Sequence, residues 1–196
     1  MKFNKSGLFS AALLLSGWAW ADSSAVAPVA VVDGAMIWQA GEQRGEEVSL
    51  FGVNYSSPFA YSYRALARLG VNHKAAIDMD LDHIERLGLD AYRIHLWDRE
   101  LSDEKGNLLD NHHLELFDYL LARLRAKNIK VILTPIAWWG TGWPEPDPVE
   151  TGFAKNYSKT EMNEDPQALT AQINYLKQLL AHVNPYTRQT YGQDEN

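Results

Sequence analysis

The chain has 196 residues, a formal net charge of −7 and no cysteine. The missing cysteine excludes disulfides, thiolate metal sites, a cysteine nucleophile and a lipidated cysteine. The negative charge argues against nucleic acid and anionic membrane as partners.

Taken in chain order, the first segment reads as a secretory signal over residues 1–21. Lys2 and Lys5 precede the apolar run "GLFSAALLLSGWAW", and Ala19-Trp20-Ala21 offers a small-x-small cleavage site after Ala21. The run is too short and too soon polar for a membrane span, and no later stretch is a candidate. The expected location is therefore the periplasm or the medium, with no membrane association after cleavage. Residues 22–35 are small and apolar and read as a loose leader, which leaves 36–196 as one structural unit.

In that unit "AMIWQAGEQRGEEVSLFGVNY" reads as two strands around a polar turn at Gly41 to Gly45, with "SLFGVNY" strand-like. "KAAIDMDLDHIERLG" predicts a helix with Ile77, Leu81, Ile84 and Leu87 on one face. "DAYRIHLW" predicts a strand. "HHLELFDYLLARLRAKN" predicts a helix with Leu114, Phe117, Leu121 and Leu124 in line. "KVILTPIAW" predicts a strand whose apolar front half suits a parallel strand covered on both faces. A Gly- and Pro-rich loop from Trp139 to about Glu164 follows. "DPQALTAQINYLKQLLAHVN" predicts a helix through Leu169, Ile173, Leu176, Leu180 and Val183, started by Asp165 as N-cap and Pro166 in the first turn. The tail "PYTRQTYGQDEN" is polar and has no expected partner. Strand–helix alternation of this kind predicts three parallel βα units. Ligands of such folds sit at the C-terminal ends of the strands.

Two stretches at those ends carry candidate chemistry. "VILTPIAWWGTGW" ends in Trp138, Trp139 and Trp143 around Gly140 and Gly142. Indole faces are flat and apolar with a polar N–H at the edge, which suits the C–H face of a sugar ring. The competing reading is that these rings plug the end of the core; the glycine-rich post-strand loop favours ligand contact. In "YRIHLWDRE" the strand period puts Tyr92, Ile94 and Leu96 on one face and Arg93, His95 and Trp97 on the other. Arg and His inside an apolar parallel strand need partners. Either alone fits a structural ion pair or a satisfied core histidine; together, below Trp97 and Asp98, they favour a site. Arg93 is placed to orient an ionised carboxylate.

Gly88, Asp90, Arg93, Ile94 and Trp97 in "GLDAYRIHLW" resemble the second-strand signature of cellulase-type glycoside hydrolases (family five, clan A). "GVNY" at Gly52–Tyr55 resembles the first strand of those enzymes and "VILTPIAWWG" the third, over roughly Met36 to Gln193. The resemblance implies a (β/α)8 TIM barrel, of which this chain holds about the first three βα units. It implies retaining hydrolysis of a β-linked oligo- or polysaccharide by two glutamates, with no cofactor and no metal. Arg93 and His95 are then supporting residues, and Asn54, Tyr55, Trp97, Asp98, Trp138, Trp139 and Trp143 the substrate wall. Two departures leave the subfamily and sugar open: Ile136-Ala137-Trp138 lacks a histidine often found there, and His95 stands where proline is common.

A barrel of this kind typically needs about 250 residues. "NEDP" at Asn163–Pro166 mimics the acid/base motif but precedes a helix, follows no strand and already works as a cap. Neither catalytic glutamate is identified, so both are expected beyond Asn196. The alternative is a non-catalytic carbohydrate-binding remnant. Other motifs fall away: "DMDLDH" has His83 and Leu89 where a calcium loop needs Gly and Glu, and His112-His113 read as solvated neighbours pointing apart. There is no Gly-rich phosphate loop and no GxSxG elbow.

Overall fold

The computed structural model describes residues 27–55, 61–137 and 151–196. The proposed signal segment, its cleavage point, Trp138, Trp139 and Trp143 lie outside them.

The first element differs from expectation. Within the stretch read as a loose leader, Val29–Val32 is a strand (β1) paired antiparallel with Ala35–Trp38 (β2), Val32 opposite Ala35. Asp33 and Gly34 between them have φ of 51° and 85°. Two successive positive φ values make the two-residue turn that matches strand twist, and Asp-Gly is its usual sequence. The expected turn at Gly41–Gly45 also forms. It brings Glu46 to Val48 back along β2, through Trp38 N–H to Glu46 O (3.0 Å) and Val48 N–H to Met36 O (2.7 Å).

Gly52–Asn54 (β3), Ala91–His95 (β4) and Lys130–Thr134 (β5) form a parallel sheet in the order β3-β4-β5. Asn54 stands opposite Arg93, and His95 opposite Thr134. Between β3 and β4 lie Tyr61–Arg68 (α1) and His73–Arg86 (α2). Asp98–Leu101 (α3) and His112–Ala126 (α4) link β4 to β5, and Glu161–Glu164 (α5) and Pro166–Ala181 (α6) follow β5. The three βα units are therefore present, with α1, α3 and α5 as additions. Side-chain caps start the long helices: Asn72 accepts from Ala75 N–H, Asn111 from Leu114 N–H, and Asp165 from Gln167 and Ala168 N–H ahead of Pro166. Each is worth about 1 kcal/mol.

The core is one layer between the sheet and the helices. Tyr92, Ile94 and Leu96 meet Ile77 and Leu81 of α2, Phe117 and Leu124 of α4, and Tyr175 and Leu179 of α6. Full burial of an aliphatic or aromatic side chain of this size contributes roughly 1.5–3 kcal/mol. The opposite face of the sheet is open: Ile132 is 49 % exposed. The expectation that β5 is covered on both faces is thus not met, and the sheet does not close on itself.

Three expected contacts are corrected. Leu87 is exposed because α2 stops at Arg86 and Gly88, with φ 70°, turns the chain away. On α6 the predicted stripe keeps only Leu176 against the core: Leu169, Ile173, Leu180 and Val183 are all exposed, while Ala168, Ala171, Tyr175 and Leu179 are buried. The cause is a close backbone approach. A Cβ on Gly106 would lie 2.0 Å from Ala171 O, so the turn packs directly on the α6 backbone at the small residue Ala171. Asn174 and Gln178 fix the same orientation by bonding Lys105 O (3.0 Å) and Leu108 N–H (3.2 Å). The tail, expected without a partner, docks. Tyr191 packs edge-on to Phe117 at 5.3 Å and donates to Asp118 (2.7 Å), and Arg125 pairs with Asp194 (2.6 Å).

The N-terminal hairpin covers the bottom of the open face. Lys130 is buried there, its Nζ donating to Ala27 O (2.9 Å) and Glu195 O (3.0 Å) and lying 5.5 Å from the Trp38 ring centre. Burial holds its pKa below the usual lysine range, and the nearby Arg125 charge adds to this.

Candidate functional site

The open face of the sheet alternates by strand period, so Asn54, Arg93, His95, Ile132 and Thr134 share it. At its upper end the Arg93 guanidinium donates to Thr134 Oγ1 (3.1 Å). Arg93 is exposed and His95 half-buried beside it. Burial, and secondly the Arg93 charge, push the His95 imidazole below its ordinary pKa of 6.5. His95 is therefore neutral at pH 7, with one ring nitrogen to donate and one to accept. A proton–carbon NMR titration should show a His95 midpoint below 6.5, and Arg93→Gln should raise it toward that value by removing the second cause.

The other expected wall residues are placed differently. Tyr55 is on the helix side of the sheet. Val53 and Tyr55 alternate with Asn54, so Tyr55 meets Tyr92 edge-on at 6.0 Å and donates to Asp80 of α2 (3.0 Å). Trp97 is 3 % exposed, clustered with Ala137 and with the Arg99 guanidinium 5.5 Å from its ring centre. Asp98 is fully buried and accepts from Ala154 N–H (3.2 Å). It pins the returning loop, which passes so close that a Cβ on Gly152 would lie 2.3 Å from Arg99 Cα. Among the described residues, then, the structure brings Asn54, Arg93 and His95 to one open surface and sets Tyr55, Trp97 and Asp98 off it.

Thr134 was missed by sequence reasoning. Its signal was available: counted from Lys130 in steps of two, it shares the face of Ile132. Reading "KVILTPIAW" as doubly covered hid that parity.

None of the residues of β3, β4 or β5 is a glutamate. Asn163 and Glu164 close α5, and Asp165 caps α6, as the cap reading of "NEDP" requires. The aspartates of "DMDLDH" are engaged elsewhere: Asp78 by Arg123 and Tyr119, Asp80 by Tyr55, Asp82 by Lys127. Among the described residues no group of three or more His, Asp or Glu side chains is placed to hold a metal ion. None of the described helices is long and apolar enough to cross a membrane.

No family model matches the chain, and no curated protein does. Among solved structures, it is similar to the endo-1,4-β-mannanase from Rhizomucor miehei, with a TM-score of 0.56 and 17 % sequence identity. The likeness covers 85 % of this chain and 45 % of the mannanase, so the chain spans less than half the neighbour's length. At that identity the shared property is the fold alone: a parallel βα arrangement like part of a TIM barrel.

Proposed function

We propose that this chain is the N-terminal portion of an exported β-glycan hydrolase of the cellulase–mannanase kind, of the family-five type that its strand motifs resemble. The observation that carries the reading is the pair Arg93–His95 on the open face at the C-terminal end of β4, with Asn54 opposite. The fold likeness to a mannanase supports it. In this reading both glutamates lie on strands beyond Asn196. One protonates the glycosidic oxygen; the other attacks the anomeric carbon, and water then releases the glycosyl group with retained configuration. Arg93 holds the nucleophilic carboxylate ionised and aimed. Neutral His95 and Asn54 meet substrate hydroxyls. Trp138, Trp139 and Trp143 supply the sugar platform, and export uses a signal cleaved after Ala21.

The coding DNA beyond the Asn196 codon tests this directly. An open frame leading through an apolar strand to Asn-Glu-Pro is expected, and the extended product should hydrolyse β-mannan or β-glucan. Arg93→Ala in that product is expected to lower kcat about 10²–10³-fold without loss of folding. A stop codon after Asn196, or a folded extended product inert on both glycans, would overturn the proposal. The absence of glutamate from the three strands favours one second reading, a non-catalytic sugar-binding remnant. It requires that the 196-residue chain itself bind a β-linked hexasaccharide by calorimetry.

A further inference from the structure

Away from the open face, polar and charged groups are matched among themselves. His112 and His113, expected as solvated neighbours pointing apart, both turn to Tyr63. The Tyr63 hydroxyl bonds His112 Nδ1 (3.0 Å), and its ring lies 4.1 Å from that of the buried His113. Arg123 is held by Asp78 (2.7 Å), Arg125 by Asp194 (2.6 Å) and Lys127 by Asp82 (2.7 Å). Arg93 is held differently. Among the described residues its guanidinium makes no ion pair, and its side-chain bond goes to a neutral acceptor, Thr134 Oγ1 at 3.1 Å.

That acceptor is itself fixed. Thr134 precedes Pro135, which confines its backbone to the extended region. Its carbonyl accepts from Leu96 N–H (2.9 Å), which ties the end of β5 to the residue after β4. Its branched Cβ restricts χ1, so Oγ1 has little freedom to swing away. In the sheet register Arg93 stands opposite Ile132, and Thr134 stands opposite His95. The bond therefore draws the guanidinium one step up the sheet, toward the C-terminal ends of the strands, where ligands of such folds sit.

A neutral acceptor has an advantage over a carboxylate at this place. A long, exposed arginine side chain samples many rotamers, and one bond to a fixed oxygen removes much of that freedom. A carboxylate would restrain it equally well but would also neutralise it. The hydroxyl leaves the charge, and the remaining N–H groups of the guanidinium, available to a ligand. The charge is felt by its neighbour: after burial, it is the second cause of the lowered His95 pKa.

We propose that Thr134 is the positioning residue of the open face, its hydroxyl fixing the Arg93 guanidinium toward the C-terminal ends of β4 and β5 without neutralising it. The catalytic consequence rests on the hydrolase reading, in which Arg93 aims a carboxylate. The hold itself does not, and it can be read on the 196-residue chain.

Nitrogen-15 relaxation of the Arg93 Nε–H group reads the hold directly. In the unsubstituted chain its heteronuclear NOE is expected to match those of the β4 amides. Thr134→Val keeps the branched stem and removes the acceptor, so the NOE should fall to that of the exposed Arg44, whereas Thr134→Ser should retain it. An Arg93 already mobile in the unsubstituted chain overturns the proposal without any variant having to fold. An Arg93 equally ordered in Thr134→Val overturns it as well. In the product extended beyond Asn196, Thr134→Val is expected to lower kcat about 10–10²-fold with KM unchanged, and Thr134→Ser to recover most of the loss. Arginine order lost with kcat intact would refute the catalytic role. An extended product inert with Thr134 in place refutes the hydrolase reading instead, and the relaxation data then decide the hold by themselves.

Discussion

Gly106→Ala is expected to destabilise the fold by about 3–5 kcal/mol, in the range reserved for named backbone and packing failures. Two costs coincide at this residue. Its φ of 74° lies in the left-handed region, where a Cβ is strained. The added methyl would also lie 2.0 Å from Ala171 O and 2.7 Å from its carbonyl carbon. Relief requires α6 to move off the turn, which separates Asn174 from Lys105 O and Asn107 Oδ1. Urea unfolding followed by circular dichroism reads the loss. Gly34→Ala is the control: its φ is 85°, but no atom lies within 4 Å of the place its methyl would take, so only the backbone strain of about 1 kcal/mol is expected. Equal losses in the two variants would show that strain, not the approach of α6, governs Gly106.

Asp118→Ala is expected to cost about 3 kcal/mol, because it strands partners that are themselves poorly solvated. The carboxylate receives the Tyr191 hydroxyl at 2.7 Å and His182 Nε2 at 3.0 Å, and is almost fully buried. Burial raises the Asp118 pKa above 3.8; the bonds from Tyr191 and His182 act in the opposite direction and offset it only in part. The folded chain therefore binds this proton more tightly than the unfolded chain. The stability it contributes is full below 3.8 and is lost as pH rises through the raised folded value. Asp118→Asn keeps an acceptor for Tyr191 and removes that dependence. Its stability deficit relative to the unsubstituted chain should accordingly be smaller at about pH 7 than at about pH 4 in denaturant titrations. A deficit that grows toward pH 7 would mean the carboxylate is stabilised, not penalised, by its surroundings.

Period and caps made the βα alternation legible. Tyr92, Ile94 and Leu96 are all fully buried on the face their spacing assigns, and Asp165-Pro166 opens α6 as its residue types require. The same logic misassigned α6, for a physical reason. Hydrophobicity alone favours Leu169, Ile173, Leu180 and Val183, but the approach of Gly106 to the α6 backbone at Ala171 sets the face of Ala168, Ala171, Tyr175 and Leu179 inward. Such steric demands come from a partner distant in sequence and leave no local pattern. The β1–β2 hairpin did leave one, Asp33-Gly34, which the small apolar composition of its surroundings obscured. At the candidate site, strand parity grouped Arg93 with His95 as found, but it also placed Trp97 with them, which lies past the end of β4 and is buried against Ala137. Tyr55 was assigned by motif, although its own parity with Val53 sends it to the helices.

Lys130 has a consequence for the order of events in folding. Its ammonium joins carbonyls from Ala27 and Glu195, almost the full span of the described chain, at the foot of a strand that must itself be in place first. Contacts of such long sequence separation carry the largest loop-closure entropy and give nothing back until the intervening chain is compact. Docking of the hairpin and the tail on β5, around the buried Lys130 ammonium, is thus the step expected last.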